Sequence, residues 1–403
     1  MLRSTHCSRM TLLLAALLSL ANAARAEVWS VRDLGTLGGP TSAAFGVNDL
    51  GQVAGASTRA DAAVRAFSWF GAETAIAPLA GDTQSQGFAV NNAGQLAAAS
   101  YTLGAMVSHG EISVGGVSTS IGNIAPRAIN SSGAVAGFLN RLDPNWGWME
   151  RPAYCAGSSV TELPTLGGDF GFAAGLNDAG WIVGWSFTAA DDVPRATLWL
   201  SGVATDLGTL GGPSAQAYAI NSADRVAGVA DTAAGDPHAC VFVLDPTTGA
   251  VASRTDLGVL GGGYSYAYAI NANNIVVGAS DARATLWRSG STIDLNTLLP
   301  AGSHWRLDAA WAINDQSQIA GLGLHNGQPR AFLMTPTTVL VGDLNCDGFV
   351  NNGDIDPFVL ALTNGSAYHA AYPNCNLMAG DINGDGLFNN GDIDPFVVLL
   401  TGG

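Results

Sequence analysis

Lysine is absent from the 403 residues; all 16 basic side chains are arginine. Glutamate is nearly absent too, with five residues against 27 aspartates. Lysine and glutamate favour helices, whereas aspartate and the 52 glycines favour turns. That balance excludes a helical bundle for the bulk of the chain and predicts short β-strands joined by tight turns. The formal net charge is −16, with no basic cluster, which excludes nucleic acid and anionic membranes as partners. Long apolar runs are missing apart from Leu12–Leu20, which follows Arg3 and Arg9 and precedes Ala24-Arg25-Ala26. Nine residues are too few to span a bilayer, and this order is that of a secretory signal. Residues 1–26 are therefore expected to be removed, taking three arginines and leaving a charge of −19 (−16 − 3). The protein is expected to be secreted, extracellular or at the cell surface, with no membrane span.

Catalytic signatures are also lacking. H-E-x-x-H and G-x-S-x-G do not occur, and His109, His238, His304 and His325 stand singly. A glycosidase needs two facing carboxylates; Glu111, Glu150, Glu162 and the many aspartates are candidates that the sequence does not pair. Trp146, Trp148, Trp181, Trp185 and Trp305 are of a type that stacks on sugars, with packing inside the fold as the alternative role.

What the chain does have is repetition. The phrase A-x-x-I/V/L-N-x-x-G-x-V-x-G, with substitutions, places asparagine at 48, 91, 130, 177, 221, 271 and 314. The gaps are 43, 39, 47, 44, 50 and 43 residues. A companion phrase, L-G-T-L-G-G, stands at Leu34–Gly39 and Leu207–Gly212 and is altered at 163–168, 257–262 and 295–300. Asparagine opens a turn by hydrogen-bonding its own backbone two residues on, and glycine at the fourth position tolerates positive φ. Each copy reads as a hairpin plus two further strands, for example Ala217–Ile220, Arg225–Val229 and Ala239–Leu244 before the next L-G-x-L-G-G. Four short strands per 40–50 residues, seven times, predict an all-β, seven-bladed β-propeller over residues 27–338. A parallel β-helix is the runner-up, and degenerate second and third copies leave an eighth blade open. The last copy lacks a fourth strand, while Glu27–Asp33 occupies the place of one. The N-terminal strand is expected to close the ring.

The third strand carries Arg65-Ala66-Phe67, His238-Ala239-Cys240 and Arg330-Ala331-Phe332, decaying to Arg-Ala-Thr at 195–197 and 283–285. Together with L-G-T-L-G-G and I-N-x-x-G, this resembles the extracellular HAF repeat family over about 310 residues. The resemblance implies a secreted repeat protein and no particular activity.

Residues 341–403 differ in kind. Asp343, Asn345, Asp347, the Phe349 carbonyl, Asn351 and Asp354 fall at positions 1, 3, 5, 7, 9 and 12 of a calcium loop, with Gly348 at the bend. Asp381, Asn383, Asp385, Leu387, Asn389 and Asp392 repeat the pattern 38 residues later. Two Ca2+ ions are expected, held by a module with eight aspartates and neither lysine nor arginine. Position 12 is aspartate, which reaches less far than the usual glutamate. Asp356-Pro357 and Asp394-Pro395 read as helix N-caps followed by the first helical residue. The duplicated loops and helices resemble a dockerin domain over the last 63 residues. That family implies calcium-dependent docking to a cohesin-like partner through loop positions 10 and 11, here Asn352-Gly353 and Asn390-Gly391. Familiar members often carry hydroxyl or basic residues at these positions.

Without Cys7, four cysteines remain. Cys346 and Cys375 are placed to staple the two halves in an oxidising compartment. Cys155 and Cys240 sit in third strands of non-neighbouring copies and are expected to be free. The function expected is a non-catalytic binding or structural propeller tethered by its dockerin-like module, with a cohesin-like protein and a polysaccharide as partners. The alternative is a tethered carbohydrate-active enzyme, a glycoside hydrolase or lyase.

Overall fold

The computed structural model describes residues 25–105, 107–143, 147–189, 193–300, 302–372, 375–383 and 388–401. Residues 1–24 of the expected signal, Trp146, and the loop positions Asp385 and Leu387 lie outside them. The chain divides into two compact units, Val31–Thr335, and Pro336–Gly403 with the N-terminal residues to Ser30.

The first unit is a seven-bladed β-propeller, each blade one four-stranded antiparallel sheet. Blades one to six occupy residues 38–76, 84–122, 125–162, 167–206, 211–256 and 265–294. Blade seven contains Trp305–Ile313, Ile319–His325 and Gln328–Leu340, and takes Arg25–Asp33 as its outer strand. The β-helix and the eight-bladed ring are thereby set aside, and the N-terminal strand closes the ring as its sequence position suggested. Leu34 N donates to Ala331 O at 3.1 Å, and Asp33 pairs with His325 at 2.7 Å.

Inner strands are longer than the alternation alone indicates. Gly211–Ile220 begins inside the L-G-T-L-G-G phrase instead of at Ala217. The final glycine of the asparagine phrase is required by a close approach, because each second strand crosses its inner strand at a bulge. A Cβ on Gly228 would collide with the carbonyl of Gln216, and one on Gly278 with that of Tyr266. At the fourth turn position φ is positive throughout: +79° at Gly51 and +81° at Gly133, but also +55° at Asp224 and +61° at Asn274. Asparagine and aspartate tolerate this region better than other side chains.

The repeated asparagines are staples as well as turn formers. Asn221 Oδ1 accepts from the backbone of Ala223 and Arg225, both at 3.0 Å, while its Nδ2 donates to the Asn271 carbonyl at 2.9 Å. The same cross-blade bond runs from Asn48 to Asn91, to Asn130, to Asn177, to Asn221, and from Asn271 to Asn314. Asn314 then donates to Asn48 O at 2.8 Å, completing a circle. At the other end of the blades, the first residue of the R/H-A-F phrase reaches the next blade: Arg65 donates to Thr83 O and Arg195 to Pro213 O, and Arg151, at the equivalent place in blade three, donates to Asp169 O. Apolar side chains fill the wedges between these two layers of staples. Between blades four and five they include Trp181, Leu198, Leu207, Val226 and Phe242, all under 9% exposed.

In the second unit, α1 (Ile355–Thr363), α2 (Gly365–Ala371) and α3 (Ile393–Thr401) pack around Leu344, Phe358, Tyr368 and Phe396. Phe358 and Phe396, equivalent positions of the two halves, stack with centroids 4.1 Å apart. The helix starts read from Asp356-Pro357 and Asp394-Pro395 are corrected. The backbone is already helical at Ile355 and Ile393, preceded by 3-10 turns Asn352–Asp354 and Asn390–Asp392. Asn351 and Asn389 supply the capping box with Asp354 and Asp392, so the Asp-Pro pairs fall within the first turn. Helix α2, capped by Asn364, is an addition to the sequence reading. Cys346 and Cys375 are disulfide-bonded with Cα atoms 5.7 Å apart, and Cys155 and Cys240 are free and buried.

Candidate functional site

The two mouths of the propeller are chemically different. At the asparagine end, the seven ring asparagines and the residues after them, including Asp49, Asp178 and Asp315, surround a shallow depression. Backbone and side-chain bonds tie these residues to one another: Asp49 Oδ1 accepts from Asp315 N, and Asp178 Oδ1 from Ser131 N, each at 2.8 Å. This end holds the ring together and offers small polar groups.

Three residues before each asparagine, the inner strands carry Phe45, Phe88, Arg127, Ala174, Tyr218, Tyr268 and Trp311. Their contacts run from blade to blade around the axis. Tyr218 meets Tyr268 at 5.6 Å, Tyr268 stacks on Trp311 at 4.2 Å, Trp311 meets Phe45 at 6.1 Å, and Phe45 meets Phe88 at 6.0 Å. The Arg127 guanidinium lies 3.9 Å from the Phe88 ring centroid and 5.0 Å from that of Phe138. Such a cation over aromatic faces is attracted by their quadrupoles. The collar is interrupted at Ala174.

Beside that interruption, at the end away from the asparagines, a cleft of about 490 Å3 opens between blades two and three. Phe88 and Arg127 lie in it, with Tyr101, Phe138, Trp148 and Phe170 as aromatic walls and Gln86, Asn140 and Glu150 as polar groups. Trp148 is 41% exposed, an unusual position for an indole without a partner surface. Burial pushes the Glu150 carboxyl up while the Arg127 charge opposes it, and burial pushes Arg127 down to about 10 while Glu150 opposes that. The pair thus offers one donor and one acceptor inside an aromatic enclosure, the composition of sites that orient a polar ring.

The other candidate residues are scattered by the fold. Glu111 is fully buried in blade two, accepting from Ser100 Oγ at 2.8 Å, and burial pushes its carboxyl up. Glu162 pairs with Arg151 at 2.8 Å in blade three. Glu150 is thus the one of the three that reaches the cleft. Trp181 is core, Trp185 stacks on Phe172, and Trp305 stacks on His325. His109 and His238 pair with Asp82 and Asp256, while His304 is exposed. Phe88, Tyr101 and Arg127 were not singled out from sequence. The available signal was the position three before the asparagine, where the repeats stop agreeing.

One further carboxyl is perturbed. Burial, with a smaller contribution from the Asp33 charge, pushes Glu73 up to about 7 against an opposing Ser57 bond. The folded value lies above the unfolded carboxyl value of about 4.3, so the folded state binds the extra proton between the two. Stability then falls as pH rises from about 4 through 7. Glu73→Gln, which mimics the protonated form, is expected to raise the melting temperature by a few degrees at pH 8, about 1 kcal/mol after solvent screening. At pH 4 it should change nothing; calorimetry at the two pH values checks this.

The second unit builds its loops twice over. Asp354, fully buried, accepts at Oδ1 from Leu344 N and Asn345 N and at Oδ2 from Asn351 N. Asp392 repeats all three bonds with Ile382, Asn383 and Asn389. Asp343 accepts from Asp347 N and Gly348 N, and its carboxyl is pushed up by burial and by the charges of Asp354 and Asp347. Among the described residues no three His, Cys, Asp or Glu side chains converge as metal ligands. In the first loop the oxygens of Asp343, Asn345, Asp347 and Asp354 instead accept from backbone amides of Gly348, Asp347, Phe349 and Leu344. On the solvent side, Ile355, Val359, Ile393 and Val397 are 40–52% exposed at equivalent places on α1 and α3.

No protein-family model and no curated protein sequence matches the chain. Solved structures resemble it in fold. An oligogalacturonate lyase in complex with manganese is 12% identical with a TM-score of 0.50, covering 78% of this chain and 98% of its own. A prolyl endopeptidase is 13% identical with a TM-score of 0.45, covering 83% and 56%. The WD40 β-propeller domain of Doa1 is 14% identical with a TM-score of 0.42, covering 75% and 97%. The likeness is one of propeller architecture.

Proposed function

We propose that this is a secreted binding protein of the HAF-repeat type, whose propeller holds a polysaccharide in the blade-two/three cleft. The observation that carries the reading is the exposed Trp148 on a cleft walled by aromatic rings around Arg127 and Glu150. Flat apolar faces beside a few directed polar groups suit a pyranose, which has both. Binding is preferred to hydrolysis because a glycosidase pair needs a second carboxylate roughly 5–10 Å from the first, and Glu150 is the one carboxylate among the described residues that line the cleft.

The C-terminal unit is proposed to be a dockerin-like anchor that binds two calcium ions and then a cohesin-like partner. The donor set suits a hard cation: carboxylates of Asp343, Asp347 and Asp354, the Asn345 amide oxygen and the Phe349 carbonyl, in a module without lysine or arginine. Asp381, Asn383, Asp385, Leu387, Asn389 and Asp392 would serve the second ion. Calcium would neutralise the loops, while Asn352-Gly353 and Asn390-Gly391, with the exposed Ile355, Val359, Ile393 and Val397, would meet the partner.

Affinity electrophoresis of the full chain against neutral and uronate-containing polysaccharides tests the first reading. Trp148→Ala is expected to weaken retention at least about tenfold, roughly 1.4 kcal/mol, without lowering the melting temperature. Retention unaffected by that change would remove the cleft from consideration, and release of shortened product in the same assay would turn the reading to a lyase or hydrolase.

A further inference from the structure

Blade four departs from the repeat at the end away from the asparagines. Phe170 and Phe172 precede its ring asparagine by seven and five residues, and Trp185 and Phe187 follow it by eight and ten. The same four places hold Thr41, Ala43, Ala56 and Thr58 in blade one. In blade five they hold Ser214, Gln216, Val229 and Asp231. The correspondence is one of register as well as count: Phe172 pairs with Trp185 across the strands, as Ala43 pairs with Ala56 and Gln216 with Val229. Sister blades therefore fold with small or polar side chains at these places. The blade itself does not demand four aromatic rings.

All four rings are half-buried, and they touch in series. Phe172 meets Trp185 at 5.9 Å with planes 4° apart, Trp185 meets Phe187 at 5.9 Å, and Phe187 meets Phe170 at 5.6 Å. Parallel rings at such a separation are offset, so neither covers the whole face of the other. The group joins the cleft at two points. Phe170 is one of the cleft walls, and Phe138, another wall, stacks on Phe172 at 4.8 Å. None of the four carries a charge, unlike Arg127 and Glu150 inside the cleft.

A cleft of about 490 Å3 has the size of a site for one small molecule. A polymer held there has to continue outside it, and the rings of blade four are the surface into which two of its walls run. A pyranose with all substituents equatorial has two flat C–H faces. A chain of such rings joined through equatorial bonds is a ribbon that can lie along a row of aromatic faces.

We propose that Phe170, Phe172, Trp185 and Phe187 are further subsites of the cleft, and that the ligand is a neutral linear chain of equatorially substituted pyranoses, a glucan or xylan, bound along its length across blades two to four. The inference rests on the reading of the cleft as a polysaccharide site and adds the class and extent of the ligand.

Calorimetric titration of the full chain with cellotriose and cellohexaose, and with xylotriose and xylohexaose, tests it. A galacturonic-acid hexamer, charged and linked through an axial oxygen, is the comparison. Expected is a neutral hexamer that binds at least tenfold tighter than its trimer and than the acidic hexamer. Trp185→Ala and Phe187→Thr, which place the residues of blade one, should each remove most of the gain from trimer to hexamer. Trp148→Ala should weaken trimer and hexamer alike. Should one of the blade-four variants fail to fold, the other decides. No gain from trimer to hexamer, a gain that survives both substitutions, or equal binding of the acidic hexamer would overturn the proposal and leave the cleft reading standing. Failure of every oligosaccharide and of polysaccharide retention would overturn both.

Discussion

A chain beginning at Leu34, and so lacking residues 27–33, is expected to melt about 10 °C or more below the intact protein. Those residues form the outer strand of blade seven. They include Trp29, 3% exposed, which groups with the C-terminal unit, so that its loss, of the size of a large-to-small core change, is expected to lower that unit's transition as well. Asp33 goes with them, leaving His325 and Arg330 without their carboxylate. The strand Gln328–Leu340 would then present an unpaired edge, which invites pairing between molecules as well as fraying. At roughly 2–4 °C per kcal/mol for a domain of this order, the sum exceeds 10 °C. Scanning calorimetry of the two chains decides it. A propeller transition at an unchanged temperature would mean that the ring does not depend on its N-terminal strand.

Chelating calcium is expected to unfold the C-terminal unit and leave the propeller standing. This rests on the proposed metal sites. The module carries eight aspartates and no lysine or arginine, around a core centred on Leu344, Phe358, Tyr368 and Phe396. A domain of about 60 residues is marginal on burial alone, so metal binding becomes folding free energy. At a thousandfold excess over Kd the linkage is worth about 4 kcal/mol, which for so small a unit corresponds to roughly 15–30 °C. The full chain should show two transitions with calcium, of which one collapses in chelator. Asp343→Ala with Asp381→Ala should reproduce the collapse at ordinary calcium concentrations. Both transitions holding their temperatures in chelator would show that the loops need no metal.

Repetition made the propeller legible. Seven asparagines at intervals of 39–50 residues pointed to seven blades, the seven sheets closed off the eighth that the degenerate copies had left open, and the absent fourth strand of the last copy pointed to the closure. The cleft was not legible, for a physical reason. Phe88, Tyr101, Arg127 and Trp148 come from two blades, and only the packing of one blade on the next sets them side by side; the repeat phrase is silent on the axial position where Phe88 and Arg127 stand. The helix starts at Ile355 and Ile393 were misplaced by a competing cap. Asp356-Pro357 has the local form of an N-cap, but Asn351 and Asp354 already satisfy the free amides upstream. Helix α2 escaped notice because Gly365–Ala371 has no apolar period of its own. Tyr368, fully buried and donating through its hydroxyl to Leu344 O at 2.9 Å, anchors it through a tertiary contact.

The circle of asparagine bonds has a bearing on how such a chain can change over generations. An open array grows or shrinks by one unit with little penalty, since each unit touches only its neighbours. Here the last asparagine returns to the first across 266 residues of sequence. A duplicated or deleted copy would add or remove one amide and one carbonyl together, but every remaining blade would have to change its angle to its neighbours before the circle could close again. The number seven is kept by geometry, while the side chains on the axis remain free to drift toward new ligands.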